Sequence, residues 1–166
     1  STTKNKFVKL NAVSAGVADI KTVVEDAKNP LLNPFGRVIL FIDEIHRFNK
    51  LQQDALLPYV ENGTVILIGA TTENPFFSVN KALISRSTVF KLEPLKKEHI
   101  IQVLKNALVN TEKGLGGYDL QVGEEVLDYL AELSRGDVRV ALNALEIAAL
   151  TTEMNENGDI KITRDI

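Results

Sequence analysis

Two adjacent carboxylates, Asp43 and Glu44, directly follow an apolar run in the segment VILFIDEIH. If that run is a buried strand of a parallel sheet, both acids lie past its carboxyl end, where ligands of such sheets bind. Phosphoryl transfer needs a metal ion to neutralise charge and a group that orients the attacking water, and an Asp-Glu pair supplies both. This Walker B arrangement indicates Mg2+ held near Asp43 and a water polarised by Glu44. A strand that simply ends in two solvated acids accounts for the same residues, so both interpretations stay open.

Two other segments carry polar side chains suited to the same site. The apolar run VILIGATTENP ends in Thr71, Thr72 and Asn74, whose side chains can hydrogen-bond a phosphate or the lytic water. A Thr/Asn-rich turn of this kind also ends many strands. Arg86 closes a helix-like stretch, where an arginine either complements the negative end of a helix dipole or reaches a neighbouring subunit's nucleotide as an arginine finger.

The segment GDVRVALNALE places Arg139, Asn143 and Glu146 on one polar stripe of an amphipathic helix, because residues at i, i+4 and i+7 share a face. Such a stripe is usually a solvated face. A phosphate-sensing arginine would occupy the same position if the helix packed over the acids. His46 has no second histidine at ligand spacing, so the sequence predicts no catalytic role for it.

The elements that must position these residues alternate between short apolar runs and helix-like segments, a pattern typical of a parallel α/β sheet. Strands are predicted at residues 7–10, 38–42, 65–68 and 89–92. Helices are predicted at residues 16–27, 49–60, 97–111, 124–134 and 138–151, with Pro58 kinking or ending the second of them. The strand signal nearly stops near residue 94, which predicts an α/β core over residues 1–93 and a smaller helical part over residues 94–166.

Composition restricts the remaining possibilities. The 166 residues include 19 basic and 22 acidic side chains, a net charge of -3, which argues against binding nucleic acid through a broad basic surface. The absence of cysteine excludes disulfide scaffolds and zinc ribbons, and fits a cytosolic protein. No apolar run is long enough to cross a membrane, and the first ten residues contain no signal-peptide core.

Taken together, the segments DEIHRFNKLQQDALLP, GATTENP, ALISRSTVFKLEPL and GDVRVALNALEIA resemble an AAA+ ATPase of the clamp-loader group. The resemblance is to the replication-associated recombination protein A family, also called maintenance of genome stability protein A, with the eukaryotic Werner helicase-interacting protein. It implies an α/β fold in which part of a P-loop AAA+ parallel sheet, flanked by helices and without the P-loop strand, is followed by an all-helical lid.

The resemblance also assigns six positions to an ATP site. Five of them are the magnesium-shell aspartate Asp43, the catalytic glutamate Glu44, the sensor 1 threonine Thr72, the arginine finger Arg86 acting in trans, and the sensor 2 arginine Arg139. The sixth, Asn11, is similar to the polar residue that restrains the catalytic glutamate in many AAA+ proteins, or it caps a loop.

One feature of the family is missing, because the sequence contains no GxxxxGK[ST] motif and no Gly-Lys dipeptide. Family order places this P-loop and its strand upstream of residue 1, with the strand between those at residues 65–68 and 89–92. We therefore expect the chain as it stands to bind ATP weakly or not at all and to be inactive alone. We also expect the gap in the sheet to be filled by rearrangement, intermolecular pairing or swapping.

For the parent protein, the resemblance implies ATP and Mg2+ as cofactors and a DNA-dependent ATPase of replication-fork maintenance and recombination or repair. The implied partners are further copies of the chain, DNA forks, ends or single-strand gaps, and the single-strand DNA-binding protein, in the cytoplasm or at a bacterial nucleoid. Two alternatives remain. The tetrad from Asp43 to His46 also fits a DExH-type helicase piece, and the chain could be a non-catalytic interaction or scaffold module.

Overall fold

The computed structural model describes residues 5–29, 31, 33, 37–118, 120–153 and 160–163. The chain divides into two compact units, Ser1–Phe90 and Lys91–Ile166.

The first unit is built on a parallel three-stranded sheet. Its strands are β1 (Lys6–Asn11), β2 (Val38–Asp43) and β3 (Val65–Gly69), which pair in that order, so the three strands expected from these segments are confirmed. Because side chains alternate between the faces of a strand, Val38, Leu40 and Ile42 all point to one face and are fully buried there. Helix α1 (Val17–Lys28) contributes its apolar stripe to the same core.

The opposite face of this sheet carries large apolar side chains that remain exposed. Phe7 on β1 is 60% exposed, and Ile66 and Ile68 on β3 are 41% and 45% exposed. Phe7 packs against Phe41 of β2, with ring centroids 6.5 Å apart. This face is therefore only partly stabilised by contacts within the sheet.

The prediction of a strand at residues 89–92 is wrong. The segment has no regular secondary structure, and Phe90 and Leu92 are 82% and 89% exposed. A strand exists only where a neighbour completes its hydrogen-bond ladder, and within the described residues β3 pairs with β2 alone. No rearrangement within the described part of the chain adds a strand next to β3, and pairing between molecules stays a prediction.

Short helices connect and follow these strands. A 3-10 turn (Ile45–Arg47) follows β2, and α2 (Lys50–Asp54) and α3 (Leu57–Glu61) replace the single helix expected over residues 49–60. The division reflects Pro58 in the first turn of α3, where proline is tolerated because no backbone donor is required. The capping box expected between Asn49 and Gln52 is present at the start of α2. Helices α4 (Pro75–Ser78) and α5 (Lys81–Ile84) follow β3.

The second unit consists mainly of α6 (Lys97–Val109), α7 (Glu124–Leu133) and α8 (Val138–Thr151). Ile100, Leu104 and Leu145 are fully buried at the centre of its core. The expectation of an all-helical lid is corrected in one respect, because β4 (Leu120–Val122) and β5 (Ile160–Ile162) form a parallel pair. Three-residue strands contain too little alternation for a sequence pattern to identify them. No helix among the described residues is long and apolar enough to cross a membrane.

Candidate functional site

Asp43 and Asn11 lie side by side at the carboxyl ends of β2 and β1, since they are register partners in the parallel ladder. The Asp43 carboxylate is about one-third exposed, and its Oδ2 lies 3.5 Å from Nζ of Lys9. Asn11 Oδ1 accepts a hydrogen bond from the Val13 amide at 2.9 Å, which is the loop-capping role that the sequence allowed for it. The restraint of the catalytic glutamate by Asn11 stays a prediction.

Glu44 leaves the line of the strand because its backbone is left-handed, with φ 56° and ψ 41°. A residue with a side chain rarely adopts this conformation, which costs of the order of 1–3 kcal/mol and is most often found at functional sites. Backbone pairing with the next strand continues around it. Ala70 N donates to Ile42 O and Ile45 N donates to Ala70 O, both at 2.9 Å. The turn that carries Glu44 is therefore fixed to the end of β3.

His46 makes contacts in this turn that the sequence analysis does not anticipate. Its side chain is 7% exposed, and its Nδ1 lies 2.8 Å from Thr71 Oγ1 and 3.4 Å from Glu44 Oε2. Nε2 lies 3.8 Å from Glu73 Oε1. The sequence did contain a signal for these contacts. His46 comes two residues after Glu44 at the end of one apolar run, and Thr71 follows the next apolar run, so the two segments could be expected to meet.

The polar end of β3 is divided between two threonines with different surroundings. Thr71 is half-buried, and its hydroxyl accepts a hydrogen bond from the Glu73 amide at 3.0 Å besides contacting His46. Thr72 is exposed at the same edge of the sheet. Asn74 caps α4 by accepting from the Phe76 amide at 3.1 Å.

The side-chain oxygens at this edge of the sheet suit a magnesium ion that is bound jointly by the protein and by phosphates. Mg2+ is commonly bound by one or two carboxylates plus substrate phosphates and water, rather than by an all-protein cage. The partly exposed carboxylate of Asp43 fits that type of site. Among the described residues, no cluster of three or more acidic, histidine or cysteine side chains forms a cage of the other type.

Arg86 follows α5, and its guanidinium is held by the first unit's own groups. Nη1 donates to the Ala82 carbonyl at 2.9 Å, and Nη2 lies 2.9 Å from Glu61 Oε1. The bond to a carbonyl of the last helical turn is the helix-end role that the sequence allowed. The side chain is nevertheless 44% exposed, so it remains accessible from solvent.

A buried amide connects the turn after the two acids to the segment that leads to Arg86. Gln53 is 4% exposed, and its Nε2 donates to the carbonyls of Phe48 at 2.9 Å and Ser78 at 3.2 Å. Its Oε1 accepts from the Asn80 amide at 2.6 Å. Burying an amide is favourable only when its groups are bonded, so this network fixes both segments.

Arg139 lies in the second unit, in the first turn of α8. Asp137 caps this helix by accepting from the Arg139 amide at 2.9 Å, and its Oδ2 also pairs with Arg139 Nη2 at 3.1 Å. These bonds from the Arg139 guanidinium and amide hold the pKa of Asp137 below its ordinary value. The Arg139 side chain is 85% exposed.

Two protein-family models match different parts of the chain. The family model described as "ATPase family associated with various cellular activities (AAA)" matches residues 2–94. The model described as "AAA C-terminal domain" matches residues 116–166.

Curated relatives are substantially longer than this chain. Replication-associated recombination protein A of Bacillus subtilis is 47% identical over 157 residues, covering 95% of this chain and 36% of the relative. ATPase WRNIP1 of Dictyostelium discoideum is 53% identical over 140 residues, covering 84% of this chain and 16% of the relative. Replication-associated recombination protein A of Escherichia coli K12 is 47% identical, covering 90% of this chain and 33% of the relative. The chain thus spans about a third of the bacterial relatives it matches.

Solved structures are similar in fold. The Holliday junction branch migration motor RuvB of Thermotoga maritima superposes with a TM-score of 0.65 at 22% sequence identity, covering 85% of this chain and 44% of that one. At this identity the similarity concerns the fold alone.

Proposed function

The chain belongs to the AAA family of ATPases, and on this premise we propose that it supplies hydrolytic residues to a DNA-dependent ATPase of replication-fork maintenance, recombination and repair. The observation that carries the proposal is the position of Asp43 and Glu44 at the carboxyl end of β2, in a turn bonded to the end of β3, the strand that leads to Thr72. The names of the bacterial relatives support the biological setting. The AAA match favours this function over the helicase alternative.

Each acid has a distinct task in this account. Asp43 would hold Mg2+ through its partly exposed carboxylate, and the metal would neutralise charge on the phosphate oxygens. Glu44 polarises and orients the attacking water. The exposed hydroxyl of Thr72 hydrogen-bonds that water or the terminal phosphate. Asn11, beside Asp43 on β1, restrains the Glu44 side chain until the site is complete.

Two arginines are assigned further roles in the complete protein. Arg86 acts on the nucleotide of a neighbouring subunit, where its positive charge stabilises the charge that develops during phosphoryl transfer. Its ion pair with Glu61 does not prevent this role, because exposed pairs contribute only about 0–1 kcal/mol and can be exchanged. Arg139 senses the phosphates from the lid.

Nucleotide affinity requires a phosphate-binding loop that this sequence does not contain. Such a loop provides several charge-assisted hydrogen bonds, each contributing about 1.5–3 kcal/mol. Without them, the repulsion between the two acids and a polyanion is offset by little more than Lys9, whose Nζ lies 3.5 Å from Asp43 Oδ2, so the chain alone binds ATP weakly and is inactive. Isothermal titration tests this point, and low-micromolar ATP binding by the chain alone would contradict it.

The wider assignments follow from the same family. Residues 1–93 are assigned to the ATPase core, without a P-loop motif, and residues 94–166 to the lid. The complete protein assembles as a homo-oligomer in the cytoplasm, at the nucleoid if bacterial, and acts on DNA forks, ends or single-strand gaps beside the single-strand DNA-binding protein.

The test uses the chain extended at its amino terminus through a GxxxxGK[ST] segment, here called the P-loop-extended protein. ATP turnover is measured with and without forked DNA. Arg86→Ala and Glu44→Gln subunits are then assayed separately and mixed. If Arg86 acts in trans, mixing restores part of the activity, because an Arg86→Ala subunit keeps an intact Glu44 that a neighbour's Arg86 can complete.

Two results would contradict the proposal. Full activity of the Arg86→Ala protein would exclude the finger. Absence of any turnover in the P-loop-extended protein, with ATP binding intact, would favour the non-catalytic scaffold alternative.

A further inference from the structure

His46 lies between two parts of the proposed catalytic site that come from different strands. Its ring is almost completely buried, and one ring nitrogen, Nδ1, faces both Thr71 Oγ1 at 2.8 Å and Glu44 Oε2 at 3.4 Å. The first distance is that of a good hydrogen bond, and the second is a looser polar contact. The nitrogen therefore joins the end of β3 to the carboxylate that follows β2.

The surrounding groups decide which nitrogen carries the proton. An ionised carboxylate only accepts hydrogen bonds, so Glu44 is attracted to Nδ1 when Nδ1 carries hydrogen. Thr71 Oγ1 already accepts from the Glu73 amide and has a second lone pair for Nδ1–H. Of the two carboxylates near the ring, Glu44 Oε2 lies closer to Nδ1, at 3.4 Å, than Glu73 Oε1 lies to Nε2, at 3.8 Å. The Thr71 hydroxyl can accept as well as donate, so this network assigns the proton to Nδ1.

The fixed ring compensates for the freedom of the glutamate side chain. Glu44 is about one-third exposed, whereas the ring of His46 is held by burial and by Thr71. A water-activating carboxylate must stand within a fraction of an ångström of its working position, since a misplacement of about 1 Å can lower the rate about 100-fold. Because Thr71 adjoins Thr72, the same contact relates the carboxylate to the proposed sensor.

We propose that His46 is a positioning residue for Glu44, whose Nδ1–H holds the carboxylate in register with Thr71 and Thr72. The proposal rests on the proposed ATPase function and assigns the histidine no contact with nucleotide. Loss of the Nδ1 donor lowers the turnover number and leaves nucleotide binding unchanged.

The chain offers matched variants for the test. His46→Asn keeps a donor near the position of Nδ1, His46→Gln moves the donor toward the position of Nε2, and His46→Ala removes both. In the P-loop-extended protein, His46→Ala should lower kcat about 10- to 100-fold with KM and ATP affinity unchanged. His46→Asn should recover most of the loss, and His46→Gln little of it.

A second comparison separates positioning from structural damage. His46→Ala should cause no further loss when Glu44 is already replaced by glutamine, because the group it positions is gone. Equal losses in the Asn and Ala variants, a rise in KM, or an increase in turnover would each overturn the proposal. If the P-loop-extended protein shows no turnover at all, the ATPase assignment itself fails, and if Glu44→Gln remains fully active, the assignment of Glu44 as the water-activating residue fails. If Glu44→Gln is inactive and His46→Ala is fully active, only the role of His46 fails.

Discussion

Replacing Glu44 by glycine should leave the first unit more stable than replacing it by alanine. At most exposed positions the order is the reverse, because glycine increases the entropy of the unfolded chain. Glu44 differs because its φ is 56° and its ψ 41°. An L residue with a Cβ atom pays about 1–2 kcal/mol there, and glycine does not.

The expected difference follows from two terms. Relief of the left-handed backbone favours the Glu44→Gly variant by about 1–2 kcal/mol, and unfolded-chain entropy favours the Glu44→Ala variant by about 0.4–1 kcal/mol. Both variants lose the contact with His46, so that contribution cancels. The net preference for glycine is about 1 kcal/mol, which with a urea m-value of about 2 kcal/mol/M moves the midpoint by about 0.5 M.

Urea unfolding followed by circular dichroism measures the difference. Glu25, an exposed residue inside α1, is the matched control, since glycine in a helix interior is about 1 kcal/mol less stable than alanine. The two positions should thus give opposite signs. A Glu44→Ala variant at least as stable as the Glu44→Gly variant would refute the account of strain at the catalytic position.

Three further predictions concern stability and are measured by denaturant unfolding. Gly136→Ala should lose more than about 1 kcal/mol, because its φ is +92° and the added Cβ would lie 2.8 Å from a proline side chain. Gly117→Ala, with no atom within 4 Å of its added Cβ, should change by less. Asp137→Asn should be less stable than the parent at pH 7. The pKa of Asp137 is lower in the folded chain than in the unfolded chain, so the ionised carboxylate stabilises the fold at pH values above the unfolded-state pKa. This difference in stability should therefore disappear as the pH falls below about 4 and the group becomes protonated in the folded chain. A difference that does not narrow as the pH falls below about 4 would contradict the assignment to Arg139. Gln53→Leu should lose about 2–3 kcal/mol, since it leaves buried backbone groups unbonded, and an unchanged midpoint would contradict this.

Sequence patterns correctly predicted the elements in which a strand-like or helix-like pattern of apolar residues continues over at least four positions. The alternating strands β1 to β3 and the amphipathic helices α1, α6, α7 and α8 all lie within a few residues of their expected bounds. Burial of these elements dictates which positions are apolar, so the residue types and their spacing are enough to predict them. Elements that depend on a partner were predicted incorrectly. The short pair β4 and β5 was missed, and the segment at residues 89–92 was predicted as a strand although it has no neighbour among the described strands.

The candidate site shows the same division. The position of Asp43 and Glu44 at a strand end follows from the apolar run before them. The contacts of His46 do not, because they depend on the left-handed turn at Glu44 and on the register of β2 with β3. Likewise, the bond from Arg86 to Glu61 joins α3 to the turn that follows α5, and no local pattern indicates it.

The central claim is that Glu44 activates water for ATP hydrolysis, and one comparison tests it most directly. ATP binding and single-turnover hydrolysis are measured for the P-loop-extended protein and its Glu44→Gln variant, which keeps the size of the side chain and removes its charge. The account predicts unchanged ATP affinity and a rate reduced at least about 100-fold, within the contribution of general-base catalysis. Hydrolysis at the parent rate by the Glu44→Gln protein would contradict it.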